Sequence, residues 1–344
     1  MDAVFILSGE HSTLPKAEII ACLQAENISF KINFHEMGIL SLKIPDKYSK
    51  IIEIIGNRIA YTHEVCKLII ETDFTNLKED IENFQWNNVI LNDYAVRVKN
   101  VVPTNNLNSQ AMEIQIGGII KQNLGNNVKV NLENPKTFLR CIVINNKILI
   151  CERIIKRIKK HYFALKPHKR PFFYPGSMSP KLARGMNNLS RIKKGSIVLD
   201  PFCGTGGILI EAGIIGAKVV GMDIDKKMVE GTIKNLKYYN INDFEVFQGD
   251  ARDIKLPYKV DAIVTDPPYG ISASTAGVDS KKIYHDSLLS MQNIIKEDGF
   301  ICIATPHYLD FHEIVNHTKF KIIEQYDIRM HKSLTRIISV LKKN

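Results

Sequence analysis

The six cysteines of this 344-residue chain (Cys22, Cys66, Cys141, Cys151, Cys203 and Cys302) include no Cys-x-x-Cys pair. That argues against a disulfide framework and against a zinc ribbon, and leaves them as reduced packing residues. No apolar run reaches the roughly 18 residues a membrane helix needs, and the first residues lack a basic region followed by a secretory core. A cytosolic chain with no membrane partner is expected. His307, His312 and His317 recur every five residues, a spacing that does not keep them on one helix face, so no metal site is expected. There is no internal repeat and no low-complexity segment. One further absence points the other way: from Arg153 to Leu199 there are 13 Lys+Arg and no acidic residue.

What is present begins with charge. The net +10 is unevenly placed, with 15 Lys+Arg against 16 Asp+Glu in residues 1–150 and 31 against 20 in residues 151–344. The acid-free run interleaves its cations with His161, Tyr162, Phe163, Phe172, Phe173 and Tyr174. A solvated helix face can have such a composition, but this run leads into the site described below, which favours phosphate binding. Lys156, Arg157, Lys159 and Lys160 are its densest cations. In the near-neutral first half a local patch from Arg97, Lys99, Lys136 and Arg140 is the available RNA-facing candidate, since phosphate neutralisation normally dominates affinity.

Hydrophobic residues make up 45% of the chain, and at about 150 residues per domain the length implies two or three domains. Periodicity predicts a first α+β unit: a strand over Val4–Ser8, a helix over Leu14–Glu26, a strand over Ile39–Ile44 and a helix over Tyr48–Ile55. A second runs from about Asn57 to Cys151, with strands at Tyr94–Lys99 and Leu139–Ile144 and a helix at Ser109–Leu124. Arg153–Pro175 reads as a basic connector. From Gly176 onward strands alternate with helices, which predicts a parallel sheet, with Phe300–Thr305 as its fifth strand. Ile322–Ile328 and Leu334–Leu341 are too close together for a helical crossover and should be antiparallel to each other.

Two motifs sit at strand ends in that second half. Asp200-Pro-Phe-Cys-Gly-Thr-Gly-Gly207 is a glycine turn between a strand (Ser196–Leu199) and a helix, and Gly204, Gly206 and Gly207 allow a tight bend and a close approach of ligand to backbone. Nucleotides bind at this place in open α/β sheets. A second apolar strand, Lys218–Met222, ends in Asp223, where an acidic side chain can take both ribose hydroxyls. A third, Phe244–Gln248, ends in Gly249-Asp250-Ala251, whose carboxylate can accept from an adenine amino group. Dinucleotide enzymes share the ribose arrangement, so hydride transfer stays open on these residues alone.

The tetrapeptide Asp266-Pro-Pro-Tyr269, ending the strand Val260–Thr265, favours methyl transfer instead. An aromatic amine is a poor nucleophile because its lone pair is delocalised into the ring. Two acceptors, the Asp266 carboxylate and the Pro267 carbonyl, can hold the amine hydrogens and turn the lone pair toward an electrophile. Pro267 and Pro268 stiffen the backbone, and Tyr269 offers a ring for stacking on a base. Cys203, beside the turn, needs no covalent role in sulfonium chemistry. Ring-carbon methylation is set aside, because it requires a cysteine that attacks the base and none follows the strand at Asp266.

Asp200–Gly207, Gly221-Met-Asp-Ile-Asp225, Gly249-Asp250 and Asp266–Gly270 together resemble the class I S-adenosylmethionine-dependent amino-methyltransferases. Upstream, Arg170-Pro171, Pro175–Arg184 and Asn188-Leu189 resemble the lead-in of the THUMP-domain tRNA guanosine N2-methyltransferases, and Tyr94–Lys99 and Ile116-Gly117-Gly118 look like the THUMP domain itself. The archaeal type acting on guanosine 10 is the most similar. The resemblance implies an α/β class I methyltransferase (Rossmann-like) domain over 176–344, preceded by an α+β region: a ferredoxin-like domain over 1–56, THUMP over 57–155 and a basic linker over 156–175. It implies tRNA as partner, S-adenosylmethionine as methyl donor and no obligatory protein partner.

On this reading Asp200, Gly204, Thr205, Gly206 and Gly207 shape the donor pocket, Asp223 holds ribose, and Asp250 with Ala251 meets the adenine. Asp266, Pro267, Pro268 and Tyr269 position the amine. Arg97, Lys99, Arg140, Lys156, Arg157, Lys159 and Lys160 meet RNA, and the loop Ile271–Ser280 is a candidate lid. The alternatives are another amine acceptor, such as another tRNA guanosine, adenine N6 or a protein glutamine, and a non-catalytic RNA-binding adaptor.

Overall fold

The computed structural model describes residues 1–102, 107–125, 128–156, 160–269, 280–331 and 334–344. The expected lid therefore lies outside the described residues except for Ser280, as do Arg157 and Lys159. By internal contacts the chain forms two units: Met1–Glu10, Ile28–Asn57 and Thr62–Arg157 make the first, and His11–Asn27, Arg58–Tyr61 and Ile158–Asn344 the second.

The first unit is one eight-stranded sheet. Its strands are β1 (Asp2–Leu7), β2 (Lys31–Glu36), β3 (Ile39–Lys43), β4 (Thr62–Asp73), β5 (Asp93–Asn100), β6 (Lys129–Val130), β7 (Thr137–Ile144) and β8 (Lys147–Lys156). The order is β2-β3-β1-β4-β8-β7-β5-β6, with β5 parallel to β6 and β7 and the other pairs antiparallel. Helices α2 (Ser49–Arg58), α3 (Leu77–Asn83) and α4 (Ser109–Leu124) accompany it; Trp86, Tyr94, Ile116 and Ile120 are at the centre of the core beside α4. The sequence predicts separate α+β units on either side of residue 56, but β1 pairs directly with β4, so one sheet crosses that position. The basic stretch also begins earlier than a connector, inside β8.

The second unit carries α1 (Leu14–Ala25), α5 (Lys160–Ala164) and α6 (Pro180–Leu189) on its N-terminal side. Then strand and helix alternate: β9 (Ile197–Asp200), α7 (Gly207–Ile215), β10 (Lys218–Asp223), α8 (Lys226–Tyr238), β11 (Phe244–Gln248), β12 (Val260–Thr265), α9 (Ser280–Ile294), β13 (Ile295–Pro306), α10 (Phe311–Asn316), β14 (Phe320–His331) and β15 (Leu334–Lys343). The sheet order is β11-β10-β9-β12-β13-β15-β14. β9 to β13 are parallel; β14 and β15 are antiparallel to each other, as the short spacing predicts, and β15 also lies antiparallel to β13, between it and β14. The central strands are short apolar runs because helices cover both faces: Val198, Leu199, Ile263 and Val264 are fully buried. The chain leaves β9 for β10 and β11 on one side and returns to β12 on the other. That reversal opens a crevice beyond the carboxyl ends of β9 and β12.

Candidate active site

The two sequence motifs meet in this crevice. β9 ends in Asp200, which is buried and accepts from the Thr265 hydroxyl at 2.7 Å and from the Phe202 N–H at 3.2 Å. Thr265 is the last residue of β12, so this bond ties the glycine turn to the strand that delivers Asp266. Burial pushes the Asp200 carboxyl up to about 7, Asp223 and Asp266 adding to the rise while the two donors oppose it. After Asp200 the chain adopts left-handed backbone at Gly204 (φ 51°) and Gly206 (φ 78°), and Gly206 caps α7. A Cβ at Gly206 would stand 2.9 Å from the Thr232 methyl, whereas one at Gly204 would meet no atom within 4 Å and would project into the open cleft.

Asp223, at the end of β10, accepts from the Gly204 N–H at 2.9 Å and from the Asp225 N–H at 3.0 Å. Each bond occupies one of the carboxylate's roughly four acceptor sites, and others remain for ligand hydroxyls. The turn is also braced from α8, by two residues the motif did not disclose. Thr232 donates to the Gly204 carbonyl at 2.7 Å, and the Asn235 amide donates to the carbonyls of Thr205 and Phe172, at 2.9 and 2.8 Å, while accepting from the Phe172 N–H at 2.9 Å. Asn235 thus fixes the segment that carries Tyr174–Met178 against the turn. A cleft of about 180 Å³ results, lined by Tyr174, Ser177, Gly204, Thr205, Met228 and Asp266 among others. Burial pushes the Cys203 thiol well above its usual range, which leaves it no thiolate character.

Asp266 leaves β12 into the same cleft. One of its oxygens pairs with the Arg336 guanidinium at 3.0 Å and the other accepts from the Tyr269 hydroxyl. Arg336 also donates to the Tyr269 oxygen at 2.6 Å, and its guanidinium lies over the Tyr269 ring, 5.5 Å from the centroid. Tyr269 is therefore tied into a three-residue network, which stacking on a base does not require. Burial raises the Asp266 carboxyl, with Arg336 and the Tyr269 hydroxyl pulling it down. The Pro267 carbonyl is 3.4 Å from the Tyr284 hydroxyl, and the Tyr269 carbonyl accepts from Tyr308 at 3.0 Å. Pro267 is buried and Pro268 half-buried.

Two families match by sequence profile: one described as "RMKL-like, methyltransferase domain" over residues 167–337, and one described as "DNA methylase" over residues 25–235. A tRNA (guanine(10)-N2)-dimethyltransferase of Methanothermobacter thermautotrophicus is 47% identical over 343 residues, covering 100% of both chains. The chain belongs to the tRNA (guanine(10)-N2)-dimethyltransferase family. The family's member from Methanocaldococcus jannaschii is 36% identical over 366 residues, covering 98% of this chain and 99% of its own. TrmN from Thermus thermophilus, at 18% identity, aligns over 100% of both chains with a TM-score of 0.58, which places the fold among the class I, Rossmann-like methyltransferases.

The remaining predicted residues of this family member are placed less simply. Asp250 is held by Arg252 through both carboxylate oxygens, at 2.6–3.0 Å, and that contact lowers its carboxyl below the usual range. Ala251 is buried. Arg97 and Arg140 stand opposite each other on β5 and β7, so they do converge, but each has an acidic partner: Arg97 is 3.3 Å from Glu113, and Arg140 makes two bonds to Glu64 at 2.9 and 2.7 Å. Lys99 is half-buried on β5 and Lys156 exposed at the end of β8; Lys160 begins α5. Several cations of the acid-free run serve the fold. Arg153 stacks on Phe138 at 3.3 Å, Arg170 is buried against the Leu165 carbonyl, Arg184 pairs with Glu211 at 2.8 Å, and Arg191 pairs with Glu324. Lys166, Lys169, Lys193 and Lys194 remain exposed. Among the described residues no group of three His, Cys, Asp or Glu could hold a metal ion, and no helix is long and apolar enough to cross a membrane.

Proposed function

We propose that the chain transfers methyl groups to the exocyclic N2 of guanosine 10 in tRNA, forming N2-methylguanosine and then N2,N2-dimethylguanosine. The observation that carries this is the single cleft onto which both the glycine turn and Asp266 open. The open space over Gly204, whose N–H is bonded to Asp223, fits a nucleoside with a free ribose. When bound there, S-adenosylmethionine supplies an activated methyl whose bond to sulfur breaks as the bond to guanine N2 forms, the electron pair remaining on sulfur.

Asp223 takes the ribose hydroxyls, and Asp250, steadied by Arg252, meets the adenine amino group beside Ala251. Asp200, Thr205, Gly206 and Gly207 keep the turn open. Asp266 and the Pro267 carbonyl accept the two amine hydrogens, which directs the N2 lone pair toward the donor. Holding two reactants in near-attack geometry supplies about 7–11 kcal/mol, and Asp266 is placed to take the proton that N2 then sheds. After one transfer the amine keeps one hydrogen, so the same acceptor serves a second. The first-unit sheet is the ferredoxin-like and THUMP part that binds RNA, with Lys99, Lys156 and the lysines near residue 160 as its phosphate contacts. The enzyme acts in the cytoplasm without an obligatory protein partner.

The test is incubation of the purified chain alone with unmodified tRNA transcript and methyl donor, followed by nucleoside mass analysis. N2-methylated guanosine at position 10 is expected; methylated adenine, or no incorporation, would overturn the proposal.

A further inference from the structure

The geometry points to Arg336, carried by β15, as the positioning residue that aims the Asp266 carboxylate at the acceptor amine and keeps it an acceptor; this rests on the amine-clamp reading of Asp266. The antiparallel β15 is what brings it there. Pairing with β13 sets Arg336 opposite Pro306, at the carboxyl end of β13, and β13 is the neighbour of β12. A strand running parallel to β13 in that slot would bring its carboxyl-terminal residues, rather than residues near its start, to the crevice. Arg336 is only 7% exposed and its guanidinium reaches Asp266 at 3.0 Å and the Tyr269 hydroxyl at 2.6 Å. The Tyr269 hydroxyl in turn donates to the other Asp266 oxygen. Among the described residues each carboxylate oxygen is therefore held by one donor and keeps a lone pair for an amine hydrogen.

Geometry alone would be served by any donor; the charge does something more. An ionised carboxyl only accepts, at both oxygens, whereas a protonated one turns one oxygen into a donor, and burial favours the protonated form of Asp266. Among the described residues, the ionisable groups facing it are Tyr269 from its own turn, Tyr284 from α9, Asp200 at the end of β9 and Arg336. The Tyr269 hydroxyl favours the ionised form as a neutral donor, and Asp200 can add only negative charge. Arg336 supplies the positive charge, and a guanidinium does not deprotonate in proteins. Without it the acid form of Asp266 would present an O–H toward the amine and the clamp would be lost until the pH was raised.

The experiment has two arms on the full chain. In the first, Asp266 is followed by carboxyl carbon-13 NMR titration without donor or tRNA, its signal assigned by its loss in Asp266→Asn. The midpoint should rise by about 1–3 pH units in Arg336→Gln, the usual effect of removing an adjacent cation, and return toward wild type in Arg336→Lys. In the second, single-turnover methylation of tRNA is measured from pH 6 to 9. The acidic limb of Arg336→Gln should move up with the NMR midpoint, so that below that limb the rate falls about tenfold for each pH unit the limb moves and recovers as the pH is raised. Donor affinity by calorimetry should stay within about twofold of wild type. An unmoved Asp266 midpoint, a loss of rate that is uniform with pH, or a parallel loss of donor binding would overturn the inference. If Arg336→Gln does not fold, Arg336→Lys decides, by keeping the wild-type midpoint with a reduced rate or by shifting it. Wild-type protein that makes no N2-methylguanosine would refute the proposed function, while the NMR arm would still decide whether Arg336 governs Asp266.

Discussion

Asp266 and Asp223 stand at the ends of two strands of one sheet, yet their removal should produce opposite phenotypes. Asp266→Ala should lower single-turnover methylation by at least about 100-fold, within the range for a group that handles a transferred proton, and leave donor affinity within a few-fold. Asp223→Ala should chiefly weaken donor binding, because each lost hydrogen bond is worth about 0.5–1.5 kcal/mol and up to about 3 when charged, and because Gly204 loses the partner of its N–H. Calorimetry beside single-turnover rates checks both. Asp200 should reveal itself through pH. Its folded carboxyl titrates near 7 and its unfolded one near about 4, so the unfolded state binds fewer protons across that window and stability falls as pH rises through it. Relative to Asp200→Asn, wild type should lose stability from about pH 4 to about 7 and converge below, as urea midpoints at several pH values will show. The turn, Asp223 and the tetrapeptide were legible in the sequence because each is a local pattern at a strand end. Arg336 was not: it lies 67 residues beyond Tyr269, and only the pairing of β13 with β15 brings the two together.

Among the elements, α6 is held to its surroundings by polar groups taken out of water. Arg184 of α6 and Glu211 of α7 pair at 2.8 Å with side chains 4% and 1% exposed. Arg184→Ala should cost about 3–5 kcal/mol by leaving Glu211 charged and buried, whereas replacing both residues with apolar ones of similar volume should restore much of it; chemical denaturation of the two variants is the check. One helical turn on, Asn188 donates to Glu18 of α1 at 2.7 Å and accepts from Arg58 at 2.7 Å, and Glu18 takes the N–H groups of Ala60 and Tyr61 at 2.6 and 2.8 Å. The parallel strands were readable as short apolar runs bounded by glycine and aspartate. β4 and β8 were not, although β4 links β1 to the rest of the first sheet. Their pairing shifts register at Val65/Cys66 and again at Leu68/Ile70, and each shift moves the buried set to the other face of the strand, so no clean alternation survives in Thr62–Asp73.

At the scale of the whole molecule, chain order and packing disagree. A fragment from Lys160 to the end contains every residue assigned to donor and amine, and by sequence it reads as a separate domain. It omits His11–Asn27 and Arg58–Tyr61, which pack as part of the same unit, and with them the Glu18 and Arg58 partners of Asn188 and the apolar Leu14, Ala60 and Tyr61 of its core. That fragment should melt well below the full chain or fail to stay soluble, and it should lose donor affinity in step with folding; a thermal melt with and without donor is the measurement. The separation was hidden because the polar contacts that define it join residues 130 and 170 positions apart. RNA binding is expected to be electrostatic: if the cations near residue 160 neutralise about five phosphates, log affinity should fall with log salt at a slope of about −3.5 to −4.5. Replacing Lys156, Arg157, Lys159 and Lys160 by alanine should flatten that slope and leave donor affinity unchanged. The central claim, that Asp266 receives the exocyclic amine of guanosine 10, is tested most directly by changing that amine alone. Two tRNA transcripts that differ only in guanosine or inosine at position 10 would be incubated with the chain and labelled methyl donor. Full incorporation with guanosine and none with inosine is expected, at equal tRNA affinity; comparable incorporation into both would rule out the guanosine 10 amine as the acceptor.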